Sequence, residues 1–322
     1  MKRTFVYESQ SLDGFINLAT DEWFLDHVGE DDLVLHFYQN GNAVIIGKNQ
    51  NPWVECDLNR MEKDGVQLVR RVSGGGAVYH DDGNLNFSFI AGKNRYDEKG
   101  QMEMILKAVR DLGIPCAFTG RNDLECDGRK FSGNAFACRK ENRQHHGTLL
   151  CSADLDRLTC YLTVSPAKIK SKGIASVRSR VCNLNEFKQD LTVRDLRAAI
   201  LRRLEDSCGY WAEWNFSSAE KEEIEEYRKK HASEEWRFGE TPKFDYEWNG
   251  RFPWGGVQLL FSFRKGIVTG IRAYSDAMET EICQRLEQLL LGAPFEKNAL
   301  QNTLLSSSDE RIRSLADEKI LP

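Results

Sequence analysis

The sequence RRVSGGGAVYH occupies residues 70–80 and places three consecutive glycines between two short apolar runs. The runs at 66–70 and 76–80 have the length and the β-branched or aromatic content of strands. Glycine loses more backbone entropy on folding than any other residue, so three in a row need compensation. A ligand lying close to main-chain N–H groups would provide it, and Arg70 and Arg71 favour an anion. A flexible hairpin turn is the alternative interpretation of the glycines alone.

Two common nucleotide-binding loops are excluded. The P-loop pattern GxxxxGK[ST] has a near miss at residues 41–48, where the spacing is one residue too long and Asn49 follows the lysine. Residues 74–79 do not fit GxGxxG. If a nucleotide binds, it binds in another fold.

A second cluster of polar and small residues spans GRNDL at 120–124 and GRKFSGNA at 128–135. Strand-like alternation would aim Lys130 and Ser132 at one face, with small residues leaving space above them. A fixed ammonium there suits a carboxylate that meets a phosphate. Asn122 and Asp123 offer hard oxygen ligands for a Mg²⁺ ion that arrives with substrate phosphates. A solvated hairpin with ordinary surface charges is the alternative.

A third cluster, KIKSKGIASVRSR at 168–180, is basic and rich in small residues. It is interpreted either as a solvated charged face or as a loop that closes over an anionic intermediate, with Gly173 as the pivot. His145 and His146 lack the spacing of a helical metal motif, so a role in the core or at a strand edge is the simpler reading.

The remaining pattern predicts an α+β fold. Helices are expected at about 16–28, 101–112, 153–162, 192–207, 219–231, 279–291, 295–305 and 308–318. Strands are expected at 33–38, 42–47, 66–70, 76–80, 85–91, 131–137, 146–151, 257–263 and 267–275, mostly antiparallel because the connections are short. Residues 231–252 mix aromatics, glycine and proline with little periodicity, so we expect domains at 1–245 and 246–322, with a candidate hinge between them.

Composition limits the class of protein. The 322 residues carry 44 Lys and Arg against 49 Asp and Glu, a net charge of −5, which argues against nucleic-acid binding by the whole surface. No apolar run reaches the roughly 18 residues of a membrane helix, and MKRTFVYESQ lacks the apolar stretch of a signal peptide, so a cytoplasmic location is expected. The nine cysteines are scattered without CxxC, which indicates reduced thiols. Cys116 and Cys126 flank the second cluster but have no evident activating partner.

Taken in order, RRVSGGGAVYHDDGNLNFSF, GRNDL, GRKFSGNAF, HHGTLL and KGIASVRSRV resemble the lipoate-protein ligase A family. NPW at 51–53 and FPWGG at 252–256 extend the resemblance over essentially the whole chain. It implies a large catalytic domain of the biotin/lipoyl ligase type, with mixed, mostly antiparallel sheets flanked by helices, followed by a small C-terminal α+β domain.

The resemblance also implies an activity and its partners. Lipoate and ATP with Mg²⁺ would give lipoyl-AMP, and a specific lysine of an acceptor lipoyl domain would then receive the lipoyl group as an amide. The acceptors would be E2 subunits of 2-oxoacid dehydrogenases or the glycine-cleavage H protein. Neither nucleic acid nor membrane is expected as a partner, and the protein is expected to be a monomer.

Site residues carry over position by position from the family motifs. Lys130 would be catalytic, as an electrostatic stabiliser. ATP and adenylate would contact Arg71, Gly76, Ala77, Val78, Tyr79 and Lys130. Lipoate would contact Arg71, Gly74, Gly75, His80, Lys130 and Gly133. The loop covering the adenylate would include Lys172, Gly173, Val177 and Arg178, and the metal position would be Asn122 and Asp123.

The sequence departs from the family motifs at two positions, and two alternative functions remain open. Many family members have Ser where this chain has Val72 and a basic residue where it has Ala137, both at positions expected near the acyl ligand. An ATP-independent octanoyl or lipoyl transferase that uses a cysteine thioester is the nearest alternative, but such enzymes carry the cysteine at the Gly-Arg-Asn-Asp segment and usually lack the small domain. A lipoate-binding protein with a decayed site is the other, and intact Arg71, Asp123 and Lys130 count against it.

Overall fold

The computed structural model describes residues 2–119, 122–163, 180–239 and 244–317. Residues 168–179 of the predicted covering loop, which include Lys172, Gly173, Val177 and Arg178, fall outside this described part of the chain. Among the residues described, none of the helices is both long and apolar enough to cross a membrane.

In the described residues, groups of one to four strands are separated by one or more helices. In the described residues the helices are Gly14–His27 (α1), Pro52–Glu55 (α2), Leu58–Lys63 (α3), Glu98–Asp111 (α4), Leu155–Tyr161 (α5), Val193–Cys208 (α6), Ser218–Ala232 (α7), Glu234–Phe238 (α8), Ile282–Leu290 (α9), Lys297–Leu305 (α10) and Glu310–Ser314 (α11). The strands are Arg3–Glu8 (β1), Asp32–Tyr38 (β2), Ala43–Ile46 (β3), Gln67–Arg70 (β4), Val78–His80 (β5), Asn84–Ala91 (β6), Ala117–Thr119 (β7), Asp123–Cys126 (β8), Arg129–Arg139 (β9), Asn142–Leu150 (β10), Ala212–Glu213 (β11), Tyr246–Phe252 (β12), Gly255–Arg264 (β13) and Ile267–Ser275 (β14).

The largest sheet has the order β11-β1-β2-β6-β10-β9-β8-β7 within the described residues. Its β2 and β6 strands are buried along their whole length, as expected for strands covered on both faces. α1 packs on one side, where the Asp13 side chain caps it by accepting from the Phe15 amide. α4 and α6 pack together on the main hydrophobic cluster, which includes Phe87, Phe89 and Ile105.

A small second sheet, with the order β4-β3-β5, carries the glycine segment. β3 pairs with β4 in parallel and with β5 in antiparallel. The chain therefore leaves β4 at Arg70, passes through the three glycines and returns along the opposite side of β3. This topology places the glycine loop at one end of the small sheet.

The region after residue 245 has a core of its own. β12-β13-β14 form a sheet, and α9 to α11 cover it around Leu259, Phe261 and Leu286. The predicted hairpin at 264–266 is present, with Lys265 and Gly266 at positive φ of 50° and 75°. The division of the chain at 245/246 remains a proposal.

Several local predictions were wrong. Five strands were missed: Arg3–Glu8, Ala117–Thr119, Asp123–Cys126, Ala212–Glu213 and Tyr246–Phe252. β3 and β4 are parallel because their connection holds α2 and α3 and is long enough for a crossover. The stretch 231–252, expected to be irregular, contains α8 and β12 on either side of residues 240–243, so it is not a loose hinge over its whole length.

Candidate active site

The glycine loop packs closely against neighbouring backbone. A Cβ on Gly47 would lie 2.1 Å from the Gly75 oxygen, and a Cβ on Gly74 would lie 2.3 Å from the Met278 oxygen. Gly75 also has φ of +94°, which side chains rarely adopt. The glycines are thus explained in part by contacts within the protein, a reason that the sequence could not reveal.

Arg71 holds this loop through several hydrogen bonds. Its side chain is buried and donates to the main-chain oxygens of Gly74 and Gly76 at 2.7 and 2.8 Å, and to the Ser73 hydroxyl at 3.0 Å. Burial lowers the pKa of Arg71 to about 10, so the guanidinium stays charged at neutral pH. Arg71 also lines the cavity described below.

Arg70 faces away from that cavity. Its guanidinium donates to main-chain oxygens of Gly47, Lys48, Gln50 and Arg237, at distances from 2.7 to 3.1 Å. The expected pair of arginines beside an anion is therefore not formed, because the Arg70 guanidinium binds two backbone segments instead, at 47–50 and 236–237.

Lys130 lies on β9 and lines the same cavity. Its Nζ is 2.7 Å from Asp123 Oδ1, and both side chains are about one third exposed. A Cβ on Gly133 would lie 2.8 Å from the lysine Nζ, so the missing side chain of Gly133 leaves room for the ammonium. Asn122 donates to the Asn134 oxygen at 2.8 Å, which holds the residue before β8 against β9.

These residues surround a cavity of about 130 Å³ between the two sheets. Its lining combines the apolar side chains of Leu18, Ile45 and Val78 with polar side chains that include Lys130 and Asn122. Such a cavity suits a ligand with an apolar chain and a charged head group.

His80 offers the cavity a hydrogen-bond donor. Asn17 donates to Asn40 Oδ1 at 2.9 Å, so the amide nitrogen of Asn40 faces His80 Nδ1 at 3.0 Å and donates to it. The ring proton of His80 is then on Nε2, which has no hydrogen-bond partner among the described residues although it is buried. Burial lowers the pKa of His80 to about 3, so the ring is neutral and Nε2–H remains free to meet an oxygen of a ligand.

The expected site residues fall into three groups. Those that line the cavity are Arg71, Gly75, Gly76, Ala77, Val78, His80, Asn122, Lys130 and Gly133. Three lie outside its lining: Gly74 packs on Met278, Asp123 pairs with Lys130, and Tyr79 is buried with its hydroxyl on Asn42. The four covering-loop residues lie outside the described part of the chain.

Ten lining residues were not predicted as site residues: Leu18, Tyr38, Ile45, Asn86, Asn134, Ala135, His146, Gly147, Thr148 and Met278. The HHGTLL motif holds three of them, and alternation along that strand would have aimed His146 and Thr148 at one face. Met278 comes from the region after residue 245, which no local pattern connects to the cavity. Val72 and Ala137, expected near the acyl ligand, are outside the cavity lining and pack in a cluster with Ala19 and Trp23.

Neither a metal cluster nor a cysteine nucleophile is found at the cavity. No group of three or more His, Cys, Asp or Glu side chains placed to hold a metal occurs among the described residues. All nine cysteines are described and free, and none lines the cavity. The thioester alternative therefore lacks its nucleophile there.

Two family models match this chain. A model of the lipoyl protein ligase A/B catalytic domain matches residues 13–205. The chain belongs to this family. A second model, the bacterial lipoate protein ligase C-terminus, matches residues 241–321. The lipoate-protein ligase A of Psychrobacter cryohalolentis is 36% identical over 308 residues, covering 92% of this chain and 90% of the relative.

Solved structures of ligases have the same fold. P. falciparum LipL1 in complex with lipoate has a TM-score of 0.85 at 25% identity, over 98% of this chain and all of that one. A lipoate-protein ligase A bound with ATP has a TM-score of 0.65 at 30% identity, over 74% and 98%. The bipartite lipoate protein ligase of Thermoplasma acidophilum, studied with its E2 lipoyl domain, has a TM-score of 0.66 at 31% identity, over 76% and 99%.

Proposed function

We propose that this protein is a lipoate-protein ligase that activates lipoate with ATP and transfers it to a lysine of a lipoyl domain. The observation that carries the proposal is the cavity itself, which is lined both by apolar side chains and by the Lys130 side chain. Its relatives include a ligase in complex with lipoate and one bound with ATP.

In the first half-reaction, a lipoate carboxylate oxygen attacks the α-phosphorus of ATP, and the bond to the departing pyrophosphate breaks. Negative charge accumulates on the transferring phosphoryl oxygens. Lys130, held between Asp123 and the space above Gly133, is placed to neutralise that charge. Gly76 and Ala77 of the glycine loop line the same cavity, and their main-chain N–H groups are candidate donors to a phosphate.

In the second half-reaction, the ε-amine of the acceptor lysine attacks the acyl carbon of lipoyl-AMP. The C–N bond forms, AMP leaves with the electron pair of the acyl–oxygen bond, and the amine loses a proton. Hydrogen bonds from Lys130 and from His80 Nε2 would stabilise the developing charge on the acyl oxygen. Lys130 acts as a charge throughout and forms no covalent bond.

A Mg²⁺ ion is part of the proposal as a partner of the ATP phosphates. Asn122 and Asp123 are the residues that would hold it, because a carboxylate and an amide oxygen are hard ligands. When bound, the ion would reduce the negative charge of the phosphates. Asp123 would then change its partner, since its Oδ1 is 2.7 Å from the lysine ammonium in this structure.

The acceptors are proposed to be lipoyl domains of E2 subunits or the glycine-cleavage H protein. The Thermoplasma ligase studied with its E2 lipoyl domain supports the class of acceptor. The cytoplasmic location and the monomeric state stay predictions. Mass gain on candidate apo-lipoyl domains, with ATP and with lipoate and octanoate compared, would identify the acceptor and the acyl chain.

Lys130→Ala tests the mechanism most directly. We expect lipoate-dependent ATP–pyrophosphate exchange to fall by on the order of 10²–10³, as loss of a preorganised charge typically does. Lys93→Ala is the matched control, because Lys93 forms surface ion pairs with Glu30 and Glu141. Exchange that is near normal in Lys130→Ala would refute the role of this lysine.

A further inference from the structure

Ser73 joins the glycine loop to a distant strand. Its side chain is fully buried, and its Oγ lies 3.0 Å from Arg71 Nε and 2.6 Å from His146 Nε2. His146 is on β10, where it pairs with Ser88 of β6 and Ala135 of β9 in the middle of the main sheet. The Ser73 hydroxyl thus connects the loop to a strand in the middle of the large sheet.

The direction of these hydrogen bonds follows from what each group can donate. A guanidinium only donates, so Ser73 Oγ accepts from Arg71. Among the described residues His146 Nε2 is the only hydrogen-bond acceptor beside Ser73 Oγ, so we assign the serine proton to that bond, which leaves the ring proton of His146 on Nδ1. Burial lowers the pKa of His146 to about 4, so the ring is neutral at physiological pH and can accept at Nε2.

The same chain of bonds orients the loop amides. Arg71 binds the carbonyl oxygens of Gly74 and Gly76. In a trans peptide the N–H points opposite to the C=O of the same unit, so the amides of Gly75 and Ala77 point away from Arg71. Both residues line the cavity.

We propose that His146 is a positioning residue that fixes the glycine loop for the reaction by holding Ser73 and, through it, Arg71. The proposal deepens the proposed function and rests on it for its catalytic consequence. Without an acceptor at His146 Nε2, the buried Ser73 hydroxyl would lose its partner and turn toward another acceptor. Arg71 would then lose one of the contacts that fix the carbonyls on which the amide directions depend.

Ser73, His146 and Asp21 lie next to one another in space, but their geometry excludes a nucleophilic triad. Asp21 Oδ2 is 4.0 Å from His146 Nδ1, which is too far for a hydrogen bond. Asp21 instead accepts from His36 at 2.8 Å and from Tyr38 at 3.3 Å. The Ser73 side chain is enclosed and does not line the cavity, so no substrate carbonyl reaches it.

Paired substitutions at position 146 test the role. His146→Gln places an amide oxygen near the position of Nε2, whereas His146→Leu fills similar space without an acceptor. We expect the Leu variant to lose about 10- to 100-fold in kcat/KM for ATP–pyrophosphate exchange, and the Gln variant to recover most of it. If the histidine only fills space, Leu will be tolerated at least as well as Gln, and the proposal is wrong.

Ser73→Ala provides a second route that does not depend on position 146. If the residues act as one unit, the double variant Ser73→Ala/His146→Leu should be no worse than either single variant. Additive losses would refute the connection. Should His146→Leu fail to fold in a thermal unfolding measurement, Ser73→Ala alone carries the test.

Hydrogen exchange separates this proposal from the proposed function. Amides in a peptide spanning residues 71–80 should exchange about tenfold faster in His146→Leu and Ser73→Ala than in the wild type, and His146→Gln should stay close to the wild type. Unchanged protection in all variants would overturn the positioning role whatever the activity. If the wild type shows no lipoate-dependent ATP–pyrophosphate exchange, that result contradicts the proposed function alone.

Discussion

The Gly75 amide donates a 2.9 Å hydrogen bond to the carbonyl of Ala277, which joins the glycine loop to the residues just after β14. Gly75 also lines the cavity, as does the neighbouring Met278. An amide that already donates to a carbonyl cannot donate fully to a phosphate. Use of the Gly75 amide by an anion therefore requires the segment at 277–278 to move away.

Gly74→Ala should weaken this contact between the two parts of the chain. The new methyl group would lie 2.3 Å from the Met278 oxygen and 2.5 Å from the Ala277 oxygen, and neither backbone atom yields easily. We expect the contact between the catalytic part and the region after residue 245 to weaken by about 1–3 kcal/mol, as for other overpacked contacts. Small-angle scattering should show a larger radius of gyration.

Gly76→Ala is the control for this effect, because a Cβ there has no heavy atom within 4 Å. Equal scattering profiles for Gly74→Ala and the wild type would show that the contact does not hold the two parts together.

The fold was predictable where the hydrophobic periodicity is strong and glycine or turn residues mark the ends of elements. α4 ends near the expected Gly113, and the hairpin between β13 and β14 turns at Lys265 and Gly266. β7 and β8 were missed because they have only three and four residues, too few for an alternating pattern to be recognised.

The site was predictable only as far as its residues are close in sequence. Lys130, Gly133 and the glycine loop were identified from local motifs. His80 was assigned by resemblance, but its free Nε2–H depends on Asn40 and Asn17, which only the folded chain brings together. The function of Arg70 was misjudged for the same reason, since its partners include Arg237 in a distant helix.

Gly133→Ala should reduce activity without unfolding the protein. Its methyl group would meet the end of the flexible Lys130 side chain, at 2.8 Å from Nζ and 2.9 Å from Cε. The ammonium can move away at small cost in stability, but it then no longer occupies its catalytic position. ATP–pyrophosphate exchange activity should therefore fall at least tenfold. ATP–pyrophosphate exchange and thermal unfolding together measure both effects.

Gly147→Ala should do the opposite and mainly lower stability. A Cβ at this position would lie 2.5 Å from Asn134 Oδ1 and 2.6 Å from the Phe87 ring, both in the packed interior. We expect about 1–3 kcal/mol lower free energy of unfolding. If Gly133→Ala proves as unstable as Gly147→Ala, the activity loss cannot be attributed to Lys130.

Cys116→Ser and Cys126→Ser should each keep most of the ligase activity. Both cysteines lie in the main hydrophobic cluster and neither lines the cavity. A buried hydroxyl costs about 1–3 kcal/mol of stability, so assays belong well below the unfolding temperature. Abolition of activity by either change in a folded protein would restore the thioester mechanism.

Acid should destabilise the protein at a pH well above the range in which carboxylates titrate. Burial lowers the pKa values of His80 and His145 to about 3 and that of His146 to about 4. Unfolded histidines bind protons below about pH 6.5, while these three stay neutral in the folded protein until pH 3–4. The unfolded state then binds more protons, so the free energy of unfolding falls as pH decreases from about 6.5 toward 4, by up to about 1.4 kcal/mol per pH unit for each histidine.

The buried Glu22 contributes in a lower pH window. Its pKa is lowered to about 2 because hydrogen bonds and charges from His231 and Lys230 outweigh its burial, so its contribution is lost only as pH falls from about 4.5 toward 2. Between pH 5 and 6.5 the slope of the free energy of unfolding against pH therefore depends on the histidines. Urea unfolding of His145→Gln should show a slope about one third smaller than that of the wild type, with His27→Gln, a change at an exposed ring, as the control. Equal slopes in His145→Gln and the wild type would mean that His145 is protonated in the folded protein, and the neutral ring deduced from its burial would have to be abandoned.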